Sequence, residues 1–145
     1  MRNTLKNRAG EDKPTMAFVD HSFHEKTKSS DFIKELLSPY FEITYYGDNS
    51  WQGGKNVPVE KLNKYEYVFF EQVINPFNEL RKITAKIIWA PMYDGINIDY
   101  SYWKNLSFLP IKILCFSEKI YSHCQKFGMD AIKFQYFVNP YKYSE

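Results

Sequence analysis

The chain has 145 residues, of which 44% are hydrophobic and 25% charged, with a formal net charge of +2. That suits one globular domain with a proper core, and the charge is too weak and too scattered for nucleic acid to be an expected partner. No apolar stretch approaches the ~20 residues of a membrane span and no secretory h-region follows the N-terminal charges, so a soluble protein is expected.

Residues 1–14, MRNTLKNRAGEDKP, are polar and lack apolar periodicity, which predicts a disordered leader ahead of a domain over 15–145. A first strand is predicted over 15–20, then the loop HSFHEKTK. Ser29 or Ser30 is placed to cap a helix with Phe32, Ile33, Leu36 and Leu37 on one face, and Pro39 ends it. FEITYY, 41–46, reads as a second strand closed by the turn signal GDN. Residues 47–58, with three glycines, Trp51 and Pro58, read as an extended loop, and 59–64 as one helical turn. A third strand, 65–70, ends on Glu71. Asn75-Pro76 has the pattern of an N-cap followed by a first-turn proline, opening a helix to about Lys82.

A fourth strand over 85–90 stops at Pro91, and the loop PMYDGINID leads to a short helix around 100–106. Pro110 precedes a fifth strand, 111–116. Ser117 is placed to cap a helix with the apolar stripe Ile120, Tyr121, Cys124 and Phe127, and Gly128 fits a left-handed C-cap. His123, on the outer side of that helix, reads as plain surface. A last strand is predicted over 132–137.

Four of these segments, MAFVDHS (16–22), YVFFEQ (67–72), IIWAPMYD (87–94) and ILCFSE (113–118), are continuous apolar runs that stop on polar residues. Strands buried on both faces read this way, whereas half-exposed strands alternate. The expected fold is therefore α/β: a Rossmann-like, doubly wound parallel sheet of five or six strands, with helices on both faces and right-handed crossovers, in a single domain. Ligands of such sheets collect at the carboxyl ends of the strands, which here carry Asp20, His21, Glu71, Tyr93, Asp94, Ser117 and Glu118.

Aromatic residues make up 19% of the chain, which predicts a core rich in Phe and Tyr. Cys115 falls in an apolar strand and Cys124 on an apolar helix face, so both read as buried free thiols of a reducing, cytoplasmic protein. There is no GxGxxG, no GxxxxGK[ST] and no GxSxG, so dinucleotide, P-loop and hydrolase readings lack their phosphate cradle or nucleophile. His21 and His24, bunched with Asp20 and Glu25, read as hydrogen-bonding loop residues, and no metal is expected.

Candidate binding residues gather after the first strand. His21, Ser22, His24, Lys26 and Thr27 precede a helix N-terminus, and these side chains donate to hydroxyl- or phosphate-bearing ligands. Glu71 points into the crevice or caps the following helix. Tyr93 and Asp94 line the crevice or form a turn with Gly95. Trp51 is either a stacking platform for a sugar ring or a loop side chain tucked against the domain. The shallow basic balance leaves room for peripheral contact with an anionic membrane.

The stretch ILCFSEKIYSHCQKFGMDAIKFQYFVNP, 113–140, resembles the end of the N-terminal domain of GT-B glycosyltransferases of the group 1 type. The resemblance rests on an apolar strand, Ser117, an amphipathic helix ending in Gly128, a short strand and a loop with Asn139. APMYDG, 90–95, looks like the loop after that family's fourth strand, with Tyr93 where the family often has the histidine of a His-Asp pair. Pro140 follows Asn139 where glycine is usual. The resemblance implies the acceptor-binding half of a sugar-nucleotide-dependent enzyme of cell-surface polysaccharide or glycolipid synthesis. It implies a sugar or glycolipid acceptor facing His21, Ser22, His24, Lys26, Thr27, Glu71, Tyr93, Asp94 and Ser117. It also implies a nucleotide-sugar donor held by a C-terminal domain beyond Glu145, so that this chain alone would be inactive and would hold no cofactor. The rival is a non-enzymatic binding or receiver-like signalling module. A receiver wants paired acids after the first strand, Asp after the third and Lys after the fifth, where this chain has Asp20-His21, Glu71 and Ser117-Glu118-Lys119.

Overall fold

All six strands read from the sequence are present in the computed structural model, which describes residues 12–22, 31–91 and 100–133, with Trp51 and Tyr100 as backbone only. In chain order the elements are β1 (Thr15–His21), α1 (Asp31–Leu37), β2 (Glu42–Asp48), a 3₁₀ turn (Ser50–Gln52), α2 (Val59–Leu62) and β3 (Tyr67–Glu71). They continue with α3 (Phe77–Leu80), β4 (Lys86–Ala90), α4 (Tyr100–Leu106), β5 (Ile111–Cys115), α5 (Glu118–Lys126) and β6 (Asp130–Lys133). Every strand pair is parallel and the order is β2-β1-β3-β4-β5-β6, a Rossmann-like α/β sheet. β6 starts two residues earlier than the sequence pattern suggests, and 134–137 lie outside the described residues.

The chain steps from β1 to β2 on one side, crosses back over β1 to β3, and then advances steadily to β6. The reversal falls between β1 and β3, which makes that pair the topological switch point. It also divides the helices between the faces. α1 packs Ile33, with Phe32 and Leu37, against Met16, Phe18 and Phe69. The later helices send Leu62, Leu80, Trp103, Leu106, Ile120 and Cys124 against Ala17, Val19, Val68, Phe70, Trp89 and Ile113 on the other face.

The aromatic content forms the core. Phe18 and Phe69 stack with centroids 5.0 Å apart, and Trp89 stacks on the fully buried Trp103 at 5.5 Å. Burying one such ring contributes about 1.5–3 kcal/mol. β1 and β3 are buried nearly end to end, as their unbroken apolar runs require, whereas β2, at the sheet edge, alternates and only Asp48 in it is buried.

Four local expectations change. Leu36 is 52% exposed and does not share the buried side of Ile33, because the seven-residue α1 presents little more than one turn to the sheet. Asn75 does not cap α3. Pro76 holds the N-cap position, and the buried Asn75 amide donates to Val57 O at 3.0 Å and Glu79 Oε1 at 2.9 Å, tying the loop before α2 to α3. α3 ends at Leu80, not Lys82. His123 is half-buried rather than plain surface, its ring edge-on to Trp103 at 4.5 Å, a contact that only the fold supplies. Of the expected leader, residues 1–11 lie outside the described residues, while the Pro14 carbonyl accepts the Glu42 N–H at 2.9 Å.

The cysteines are free and buried, with Sγ atoms 3.9 Å apart between β5 and α5. The hydrogen bond to Cys115, together with burial, pushes the Cys124 thiol up, while the same bond lowers Cys115. Among the described residues no helix is long and apolar enough to cross a membrane.

Candidate functional site

Parallel pairing brings the ends of β1, β3, β4 and β5 to one edge of the sheet, and the polar residues that stop the apolar runs arrive there together. His21 ends β1 and Ser22 follows it, Glu71 ends β3, and Ser117 follows β5. His24, Lys26 and Thr27 (within 23–30) and Tyr93 and Asp94 (within 92–99) lie outside the described residues. The side chain of Trp51 is not described either.

Strand parity sorts the described residues between the two faces. Val19 pairs with Phe70, so the next residues, Asp20 and Glu71, stand level on adjacent strands on the α1 face. Both are buried, Asp20 fully and Glu71 to 5% exposure. Asp20 Oδ1 accepts the His21 N–H at 2.7 Å. Glu71 Oε1 is buried and accepts no hydrogen bond from a described residue. Burial, and secondly repulsion from Asp20, pushes the Glu71 carboxyl up from 4.5 to about 8. At neutral pH Glu71 therefore keeps its proton and offers an O–H donor beside the Asp20 acceptor.

The backbone behind this pair is held tightly. Gln72 has φ +69°, and the Val73 N–H bonds to Glu71 O at 2.8 Å, the pattern of a strained γ-turn. The turn is anchored by the Gln72 N–H on Ala90 O at 2.9 Å and by Trp89 Nε1–H on Gln72 O at 3.0 Å. β3 thus stops abruptly at Glu71, which does not cap α3. Conformational strain held in place by surrounding bonds concentrates at functional positions.

On the outer flank, Asp48 is fully buried and accepts from Ser50 N (2.8 Å), Ser50 Oγ (2.6 Å) and Asn56 Nδ2 (3.0 Å). Asp48 therefore organises the 3₁₀ loop. The Ser22 N–H donates to Asp48 O at 2.9 Å and the Tyr45 hydroxyl to His21 O at 3.2 Å, which fixes the exit of β1. A Cβ on Gly47 would lie 3.2 Å from Ser22, so the close approach of β2 to that exit requires glycine. Ser117 accepts the Ile120 N–H at 3.2 Å as the N-cap of α5, and Gly128 has φ +67° just past its end.

Sequence reasoning placed Asp20 among the strand-end residues but did not single it out, and it missed Asp48 and Asn75. Asp20 follows four apolar residues without a break, a signal for an acid carried into the sheet. Asp48 and Asn75 carry no such signal, and each has one partner farther along the chain, Asn56 at 8 residues and Val57 at 18. Among the described residues no cluster of three or more His, Cys, Asp or Glu could hold a metal. Set against known proteins, the chain matches no family model, and no curated protein matches it.

Proposed function

We propose that this chain is the acceptor-binding half of a sugar-nucleotide-dependent glycosyltransferase of cell-surface polysaccharide or glycolipid synthesis, working in the cytoplasm. The observation that carries the reading is the pairing of two buried acids, Glu71 and Asp20, level on adjacent strands at the switch point. A sugar hydroxyl is both donor and acceptor, and two neighbouring carboxyl groups, one of them protonated, offer it an acceptor and a donor together. The resemblance of 113–140 to group 1 enzymes gives this polar crevice its expected partners: a sugar or glycolipid acceptor, and a donor nucleotide held by another domain.

NMR titration of the ¹⁵N-labelled chain with neutral mono- and disaccharides and, separately, with nucleotide-sugars tests the proposal. Weak saccharide binding that shifts Asp20, His21 and Glu71, with no comparable binding of nucleotide-sugars, is expected. Micromolar binding of a nucleotide-sugar, or sugar transfer by this chain alone, would overturn it.

The strand order favours a second reading. Order 2-1-3-4-5 is that of receiver-like modules, and Asp20 and Glu71 occupy the ends of β1 and β3. Against it, the third strand ends on Glu71 where a receiver wants Asp, and Asp20 is followed by His21 where a receiver wants a second acid. Incubation with acetyl phosphate and Mg²⁺ separates the readings, since a mass gain of one phosphoryl group would establish the receiver.

A further inference from the structure

The opposite edge of the sheet, where the strands begin, carries a groove of about 650 Å³. Its floor is Ile88 of β4, with Phe41 and Tyr67 on one side and Leu109, Pro110 and Met129 on the other. Phe41, Tyr67 and Ile88 belong to the cluster under α1, and Leu109 and Met129 to the cluster on the other face, so the groove lies at the strand-start edge between the two faces. Ile132, 45% exposed, and the half-buried Leu114 continue the apolar strip along β5 and β6, and Phe108 beside the groove is 73% exposed.

Lys86, Lys112 and Asp130 are the charged residues of the lining. Lys86 Nζ stands 5.3 Å from the Tyr67 ring centroid, and Lys112 pairs with Asp130 at 3.6 Å, both partners well exposed. Such a surface pair contributes little and yields readily to a competing anion. Ser107, one of the two hydroxyl residues of the lining with Tyr67, directs its Oγ to Lys104 O at 2.6 Å, so that hydroxyl is already engaged.

We propose that this groove takes the acyl chain of an anionic lipid, with the headgroup held at the mouth by Lys86 and Lys112. The volume is that of a small-molecule site. An acyl chain needs no hydrogen-bonding partner on the floor, and each buried methylene adds to affinity. The cations at the mouth select a negative headgroup over a zwitterionic one. Phe108 is then the side chain nearest the bilayer from which the lipid is drawn. The site goes beyond the sugar-binding reading and does not depend on it, since it lies at the other edge of the sheet.

Titration of the ¹⁵N-labelled chain with lysophosphatidylglycerol below its micelle concentration tests this, with lysophosphatidylcholine and glycerol phosphate as controls. The expected result is saturable shifts at Ile88, Leu109 and Met129 with the anionic lysolipid, at least tenfold weaker binding of the zwitterionic one, and none of glycerol phosphate. The double variant Lys86→Ala/Lys112→Ala, exposed and tolerant of change, should weaken anionic binding about thirtyfold, from roughly fivefold per lysine. Ile88→Glu should abolish binding of both lysolipids. Equal affinity for the two lysolipids, shifts confined to another surface, no binding at all, or a dimer that buries Ile88 would each overturn the proposal.

Discussion

Asp20 and Glu71 stand level on neighbouring parallel strands, both buried, at the point where the strand order reverses. Two acids so placed cannot both ionise cheaply, and Glu71 is the one that yields.

Glu71 makes stability depend on pH. Unfolded, it ionises near 4.5; folded, it holds its proton to about 8. Between those values the native state binds more protons than the unfolded state, so this contribution to stability falls as pH rises from 4.5 to 8 and is constant above. The full span is roughly 4–5 kcal/mol at most. His123, whose pKa is lowered by burial and by Lys126, acts in the opposite sense, losing stability as pH falls below 6.5. Urea unfolding of wild type and Glu71→Gln from pH 5 to 9 isolates the glutamate. The variant should gain on wild type steadily up to pH 8, and a pH-independent difference would mean that Glu71 ionises normally.

Gly47→Ala tests how closely the exit of β1 is held. The new methyl group would lie 3.2 Å from both Cα and Cβ of Ser22, neither of which is the end of a flexible side chain. A loss of about 1–2 kcal/mol is expected, with amide shifts concentrated at His21 and Ser22. An unchanged melting curve and spectrum would show that β2 gives way instead.

Trp103→Ala should be the most damaging of the single truncations considered, at about 3–5 kcal/mol. The ring is fully buried and touches Trp89, His123 and Phe127, with centroids at 5.5, 4.5 and 6.2 Å. The same variant should return the His123 pKa toward its ordinary value, since the apolar wall beside it is gone. NMR titration of the imidazole reads that shift independently of stability.

The four inner strands were legible because burial on both faces leaves a continuous apolar run, and α5 because its stripe, Ser117 and Gly128 agree with one another. What sits beside what was less legible. The runs ending in Asp20, Glu71 and Ser117 look alike along the chain, and only the order β2-β1-β3 makes the first two neighbours and leaves the third apart. Asn75-Pro76 has the composition of a helix start, yet the amide finds better partners in Val57 O and Glu79. His123 sits on the polar side of its own helix, and a tryptophan contributed by α4 turns that side inward. Local pattern reports an element's own preference, and these residues answer to a neighbour distant in sequence.

The position of β1 between β2 and β3 also sets the order in which the molecule can assemble. Its partners on either side, β2 and β3, begin 27 and 52 residues after its own start, as the pairing of Thr15 with Glu42 and of Met16 with Tyr67 requires. No hairpin can form first, and each ladder closes a long loop before any contact rewards it. On the ribosome the apolar run from Met16 to Val19 therefore emerges well ahead of the strand that finally encloses it. During that interval the segment that becomes the most protected part of the native domain is the one most open to chaperones and to mispairing.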